Sequence, residues 1–210
     1  RPARAYAGVN AMCPDTDLVF IRENTEGIYS GIEAEVADGV TTLTRVITQE
    51  ASHRIAEFGF EYAAANGYKD VTVAHKANVM ELTDGTFLKA CRAVGSTQHL
   101  PYTEALIDSL AMHLLLHTEN YGVIIAPNLA GDILSDLAAG LVGGLGLLPS
   151  ANVGSKNALF EPVHGSAPDI AGQGIANPCA TVLSAAMMLD HLEYTEAAST
   201  VRTAVESVLA

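Results

Sequence analysis

The chain has 210 residues, 49% of them hydrophobic, so it can bury a sizeable core as one large domain or parts of two. With 17% charged residues it is not a disordered chain. Its 24 acidic and 11 basic residues give a net charge of −13, which excludes the basic stripe a nucleic-acid binder needs and opposes an anionic membrane surface. The lysines are Lys69, Lys76, Lys89 and Lys156, a scarcity that makes every cation informative where a substrate is an anion. Such acidic, lysine-poor composition also suits a protein working in high salt. Cys13, Cys91 and Cys179 form no CxxC spacing and no disulfide framework, so a reducing cytoplasm is expected. The apolar stretch Leu137 to Leu148 is broken by glycines and too short to span a bilayer.

In chain order, Asp17 to Arg22 is an apolar run rich in β-formers and predicts a strand, followed by a loop over Glu23 to Gly31. Ile32 to Ile47 alternates loosely around Asp38-Gly39, which predicts a hairpin or arm. Thr48 can cap a helix running to about Asn66, where Asn66-Gly67 stops it. Val71 to His75 reads as a buried strand, with a helix from about Asp84 to Val94. Leu106, Leu110 and Leu114 at helical spacing predict a helix from about Thr103 to His117. Tyr121 to Ala126 is a third buried strand, and a helix covers Gly131 to Leu141. The Gly-rich stretch Gly143 to Gly154 is a candidate boundary or hinge. Asn177-Pro178 opens a helix to about Leu192, and a last helix starts at Thr195. Strands that are continuous apolar runs, alternating with helices, predict parallel or mixed α/β sheet covered on both faces.

Chemistry in open α/β sheets gathers at the carboxyl ends of strands, and Arg22, Lys76 and Asn128 fall there. Asp132 and Asp136 are four apart at a helix start, so their like charges point the same way and repel unless a cation lies between them. Oxygen-only ligands suit Mg²⁺ or Mn²⁺; the alternative is a pair of acids at a positive helix end. Asp108 is an acid among Leu106, Ile107, Leu110 and Ala111 and is either a third ligand or an ordinary edge acid. Lys76 is either a partly desolvated base or a lysine reaching to solvent. Arg22 can fork a carboxylate and Tyr29, seven residues on, can donate a proton, or both can be structural. His164 to Asp169 is a tight turn of small residues that lets backbone approach a ligand. No GxGxxG follows a strand and no HExxH occurs.

RENTEGIYSG (Arg22 to Gly31), AHKANVM (Ala74 to Met80), PNLAGDILSDLAAGLVGGLGLLPSANVG (Pro127 to Gly154) and FEPVHGSAPDIAGQGIANP (Phe160 to Pro178) together resemble the β-decarboxylating dehydrogenases. That family comprises isopropylmalate, isocitrate, homoisocitrate and tartrate dehydrogenases. The resemblance runs over essentially the whole chain, in the family's order, and implies a two-lobed α/β fold with mixed sheets covered by helices.

By that resemblance, Asp108, Asp132 and Asp136 are the carboxylates around Mg²⁺ or Mn²⁺. Arg1 and Arg22 bind substrate carboxylates, Lys76 helps take the hydroxyl proton, and Tyr29 protonates the product of decarboxylation. His164, Gly165, Ala167 and Asn177 belong to the NAD site, with Asn78 near the nicotinamide. Asp169 matches the acid that holds the adenosine ribose in NAD-linked members and repels the extra phosphate of NADP. A homodimer with shared sites is implied, with a tetramer left open, in which Lys76 and Asp108 reach the partner's metal and Ile32 to Ile47 is an interlocking arm.

The GDILSDLAAGLVGGLGLLPSA and HGSAPDIAG stretches resemble isopropylmalate enzymes, those of salt-loving archaea in particular, which implies leucine biosynthesis. RENTEG, where isopropylmalate enzymes of bacteria read RELTGG, is closer to isocitrate-type members. A non-catalytic regulatory paralogue is the rival from another class; it is expected to lose the metal carboxylates, the lysine or the tyrosine, and this chain has all of them. Residues 1–142 are read as the substrate, metal and dimer lobe, and 143–210 as part of the NAD lobe, whose N-terminal portion lies outside the sequence. An opening on Arg1 and a stop at Ala210 inside an amphipathic pattern likewise predict an excerpt of a longer protein.

Overall fold

The computed structural model describes all 210 residues. The elements run β1 (Pro2–Arg4), β2 (Asp17–Arg22), β3 (Gly27–Ala37), β4 (Val40–Val46), α1 (Gln49–Ala65), β5 (Val71–His75), α2 (Thr83–Gly95), β6 (Tyr102–Leu106), α3 (Ile107–Leu116), β7 (Val123–Ala126), α4 (Asn128–Val142), β8 (Pro149–Val153), β9 (Ala158–Pro162), α5 (Cys179–His191) and α6 (Thr195–Leu209). The fold is α/β with parallel and antiparallel pairing, as expected. By contact density the chain forms two compact units, Val19–Leu134 and, together, Arg1–Leu18 with Ser135–Ala210. This packing division falls at other places than the functional division expected at 142/143.

In the Val19–Leu134 unit, the strands run in the order β2-β7-β5-β6 in one sheet, and all four pair in parallel. Parallel strands are buried on both faces, which is why β7 is apolar throughout and β5, apolar but for Thr72 and His75, is buried at every position. Val71, Val73, Val123 and Ile125 pack with Phe60 and Ala63 of α1 and Phe87, Cys91 and Val94 of α2 in one core cluster. Phe60 meets Tyr102 edge-on at 5.7 Å. Burial of a side chain such as Phe60 contributes about 1.5–3 kcal/mol.

Thr48 caps α1 as expected, its Oγ1 accepting from the Ala51 N–H at 3.1 Å, and Asn66 ends that helix. The expected helix over Thr103 to His117 is corrected: Tyr102 to Leu106 is strand β6, paired residue by residue with Val71 to His75, and helix begins at Ile107. Edge pairing to a buried strand overrides the helical spacing, which in fact starts only at Leu106. The expected loop over Glu23 to Gly31 ends early, because β3 begins at Gly27 and carries Tyr29. The β3–β4 hairpin turns at Asp38-Gly39 as expected, and apolar Ile32, Val36, Val40 and Leu43 on it are exposed.

In the other unit, β8 and β9 form an antiparallel pair, Pro149 opposite Pro162 and Val153 opposite Ala158, which the Gly-rich sequence did not reveal. A left-handed glycine pair, Gly143 and Gly144, ends α4 and leads through a 3₁₀ turn at Leu145–Leu147 into β8. Ser184 of α5 accepts from the Ser150 N–H of β8 at 3.3 Å. Asn177 accepts the Cys179 N–H at 2.9 Å, but the N-cap of α5 is Pro178 rather than the expected Asn177. Asp190 of α5 and Arg202 of α6 form an ion pair.

Candidate active site

Because β2, β7, β5 and β6 are parallel, they deliver their C-terminal ends to one edge of the sheet. Arg22 is the last residue of β2 and stands in register with Ala126, the last of β7. Asn128 and Asp132 follow β7 on α4. Lys76 follows β5, and Asp108 stands two residues past Leu106, the end of β6. Four candidates that are far apart in sequence thus share one edge.

Arg22 is the best-held of them, with a side chain 13% exposed. It donates through Nε and Nη2 to Asn128 Oδ1, at 2.9 and 2.6 Å, and through Nη1 to Asp132. Tyr29 donates its hydroxyl to the other oxygen of Asp132 at 2.6 Å, and its ring lies 5.3 Å from the Arg22 guanidinium carbon. That donation, followed by partial desolvation, raises the Tyr29 hydroxyl above its ordinary 10.0, so the phenol keeps its proton at neutral pH. Asp132 is therefore gripped from both sides.

The turn that carries Lys76 and Asn78 has its own anchor. Asp84 of α2 is fully buried; it accepts from the Lys76 N–H at 2.5 Å and pairs with Arg45 of β4. The Lys76 Nζ lies 2.7 Å from Asp108, whose carboxyl it holds below the ordinary 3.8. Asn78 is exposed on the turn.

The Arg22 to Gly31 segment is fixed by buried acids. Glu23 accepts from the Thr25 N–H at 2.8 Å and the Glu26 N–H at 3.2 Å. Glu26 accepts from the N–H and hydroxyl of Thr48, at 2.7 and 2.8 Å, and so ties the segment to the start of α1.

Asp132 and Asp136 lie one turn apart on α4 and neither is in its first turn, so the helix-end reading of these acids is set aside. Arg1 Nη1 donates to Ser135 Oγ at 2.8 Å and lies 3.7 Å from Asp136. Each helix acid therefore has its own guanidinium. The two carboxylates suit a hard cation in donor type. Within the single chain, no group of three His, Cys, Asp and Glu side chains gathers to hold a metal.

The candidate cofactor residues of the other unit lie on the segment after β9. Ala167 takes a left-handed φ of 42° ahead of the 3₁₀ turn Pro168–Ile170, where Asp169 is exposed. His164 Nδ1 is 2.8 Å from Gly165 O, and nothing stands within 4 Å of where a Gly165 Cβ would be. Asn177 packs against Gly146, where a Cβ would come within 2.8 Å of it.

Sequence reasoning placed Asn128 at a strand end but gave it no partner, and it passed over Asp84, Arg45 and Glu26. Their signal is burial of a polar group, which no periodicity reports.

This fold and edge define an α/β protein with a candidate site at the carboxyl ends of its parallel strands. The isocitrate/isopropylmalate dehydrogenase family matches residues 1–210, and the chain belongs to that family. It is 52% identical over 194 residues to a probable mitochondrial NAD isocitrate dehydrogenase subunit alpha of Drosophila melanogaster, covering 92% of this chain and 52% of that protein. It is equally 52% identical over 210 residues to a 3-isopropylmalate dehydrogenase of Archaeoglobus fulgidus, covering 100% of this chain and 64% of that protein. The crystal structure of isocitrate dehydrogenase from Methylococcus capsulatus matches with a TM-score of 0.96 at 42% identity, over 99% of this chain and 63% of that one. The chain thus spans between half and two thirds of the length of these relatives.

Proposed function

We propose that this chain carries the substrate- and metal-binding part of an NAD-linked, Mg²⁺- or Mn²⁺-dependent dehydrogenase that oxidises and decarboxylates 3-isopropylmalate in leucine biosynthesis. The observation that carries the reading is the delivery of Arg22, Lys76, Asp108 and Asp132 to one edge of the parallel sheet. Asp132 and Asp136, with Asp108 of a second copy, would hold the cation. When bound, the cation supplies Lewis acidity at the substrate oxygens and NAD accepts the hydride.

The residues then divide the remaining work. Arg22 and Arg1 clamp substrate carboxylates. Lys76 takes the hydroxyl proton as the C–H hydride leaves, and the adjacent carboxylate departs as CO₂. Tyr29, whose hydroxyl is raised above its ordinary value by donation to Asp132, returns a proton to the carbon left behind. Asp169, on its exposed turn, selects NAD over NADP by repelling a 2′-phosphate.

A homodimer with shared sites is part of the same reading, with Lys76 and Asp108, paired in the single chain, reaching the metal of the second copy. A two-stranded hairpin alone is marginal in water, and the exposed Ile32, Val36, Val40 and Leu43 ask for a cover that a second copy supplies. No helix is long and apolar enough to cross a membrane, and three free cysteines suit the reducing cytoplasm.

The substrate rests on the isopropylmalate-like motifs around Asp132 and Asp169. The second reading, isocitrate or homoisocitrate, is favoured by RENTEG and by the equal identity to the Drosophila relative. NADH formation by the full-length protein with Mg²⁺, on the three acids under matched conditions, decides. Preference for 3-isopropylmalate is expected, preference for either other acid moves the pathway, and silence on all three favours a non-catalytic subunit.

A further inference from the structure

Asn128 is 1% exposed, and both ends of its side-chain amide are hydrogen-bonded. Its Oδ1 accepts from two nitrogens on one edge of the Arg22 guanidinium, at 2.9 and 2.6 Å. Its Nδ2 donates to the Glu26 carbonyl at 2.6 Å. The amide is thus held by backbone on one side and holds the guanidinium on the other. An arginine has four rotatable bonds and sweeps a wide arc unless something stops it.

The backbone around this pair is shaped to admit it. On Gly131 of α4 a Cβ would stand 2.8 Å from Arg22 Cγ and 2.9 Å from Arg22 Cβ, so the stem of Arg22 lies across the bare face of the helix. On Gly27, at φ +92°, a Cβ would come within 3.2 Å of Asn128 Cβ. The guanidinium is therefore turned so that Nη1, opposite the Asn128 contact, meets Asp132.

From this cradle we propose that Asn128 is a positioning residue that aims Arg22 at the substrate carboxylate. It touches neither substrate nor cation itself. It fixes the edge by which the guanidinium is held, and with it the plane of the group. The proposal rests on the reading of Arg22 as a carboxylate-binding arginine.

The test uses the full-length protein and a double-mutant cycle. Asn128→Ala should raise KM for the 2-hydroxy acid about tenfold, which corresponds to about 1.4 kcal/mol. KM for NAD should stay unchanged and kcat should stay within about twofold, the pattern for lost uniform binding. In an Arg22→Ala background the same change should have almost no further effect, because nothing is left to aim. Gly131→Ala, which crowds the Arg22 stem and leaves Asn128 in place, should raise the same KM. An Asn128→Ala KM equal to the wild type, or an equal loss in both backgrounds, overturns the proposal and leaves the dehydrogenase reading intact. The Arg22 side-chain NMR signals provide a readout independent of turnover. Separate Nη resonances, showing hindered rotation, are expected in the wild type and averaged ones in Asn128→Ala. Averaged signals in the wild type overturn the proposal even if the protein oxidises none of the three acids, and that inactivity by itself would sink only the dehydrogenase reading.

Discussion

Replacing Asp84 by Ala should destabilise the Val19–Leu134 unit more than any surface change. Asp84 is fully buried, pairs with Arg45, whose side chain is 16% exposed, and accepts the Lys76 N–H at 2.5 Å. Removing it leaves a poorly hydrated guanidinium and an orphaned amide. Breaking a buried pair on one side costs about 3–5 kcal/mol, and the orphaned N–H accounts for about 1–3 kcal/mol of such a loss. Met80 Sδ at 2.9 Å and Thr83 Oγ1 at 3.3 Å still accept from Arg45, which puts the expected loss near the lower end, about 3 kcal/mol. Urea denaturation of the full-length protein, followed by circular dichroism, should show a midpoint lowered by about 1 M or more. Asp84→Asn should fall between, since an amide oxygen can still accept the Lys76 N–H. The double variant Arg45→Met with Asp84→Leu should be milder than Asp84→Ala, because it leaves no unpaired charge. A loss below about 0.5 kcal/mol for Asp84→Ala, the range of an ordinary surface change, would refute the claim that this pair anchors the turn.

Three further outcomes are expected. Asp132→Asn should weaken Mn²⁺ binding, read by electron paramagnetic resonance, by more than about tenfold, since even outer-sphere partners of a metal ligand are worth that much; unchanged binding would remove Asp132 from the cation site. Burial raises the Cys91 thiol from 9.0 to about 12. It should stay silent to a thiol reagent at pH 8 until the protein unfolds, and the stability tied to it should be lost from about pH 9 upward, where the unfolded chain ionises and the folded one does not. The Arg92 guanidinium, donating twice to Glu104 at 2.7 Å, holds that carboxyl below its ordinary 4.5. The pair's stability is therefore present above about pH 4.5 and lost as pH falls through the lowered value. Arg92→Gln should remove it, at a cost of about 0.2–1 kcal/mol because the arginine is half exposed; an unchanged acid limb of the stability profile would contradict the assignment.

The buried strands β2, β5 and β7 were legible because a strand covered on both faces is a mainly apolar run, as in Val123–Ala126. α1 was legible from its cap, since Thr48 has a local partner in Ala51. β6 was not, because its strand state comes from pairing with β5 and its own residues run into a helical leucine pattern. β8 and β9 were hidden by glycines and prolines whose pairing is set from across the hairpin. At the site, Arg22, Lys76, Asp108 and Asp132 could be named from motifs, and the shared edge of Arg22, Lys76 and Asp132 was foreseeable from strand ends, whereas Asp108 was expected inside a helix. What holds them was not. Asn128, Asp84 and Glu26 act through burial and long-range hydrogen bonds, and a polar residue in sequence looks the same whether it faces water or a guanidinium.

The central claim couples oxidation to decarboxylation at an edge that needs Asp132 and a divalent cation. CO₂ release measured alongside NADH formation, from 3-isopropylmalate with and without EDTA, tests it most directly. The account predicts one CO₂ for each NADH, with both lost together on chelation and in Asp132→Asn. NADH without CO₂, or turnover indifferent to EDTA, would contradict it.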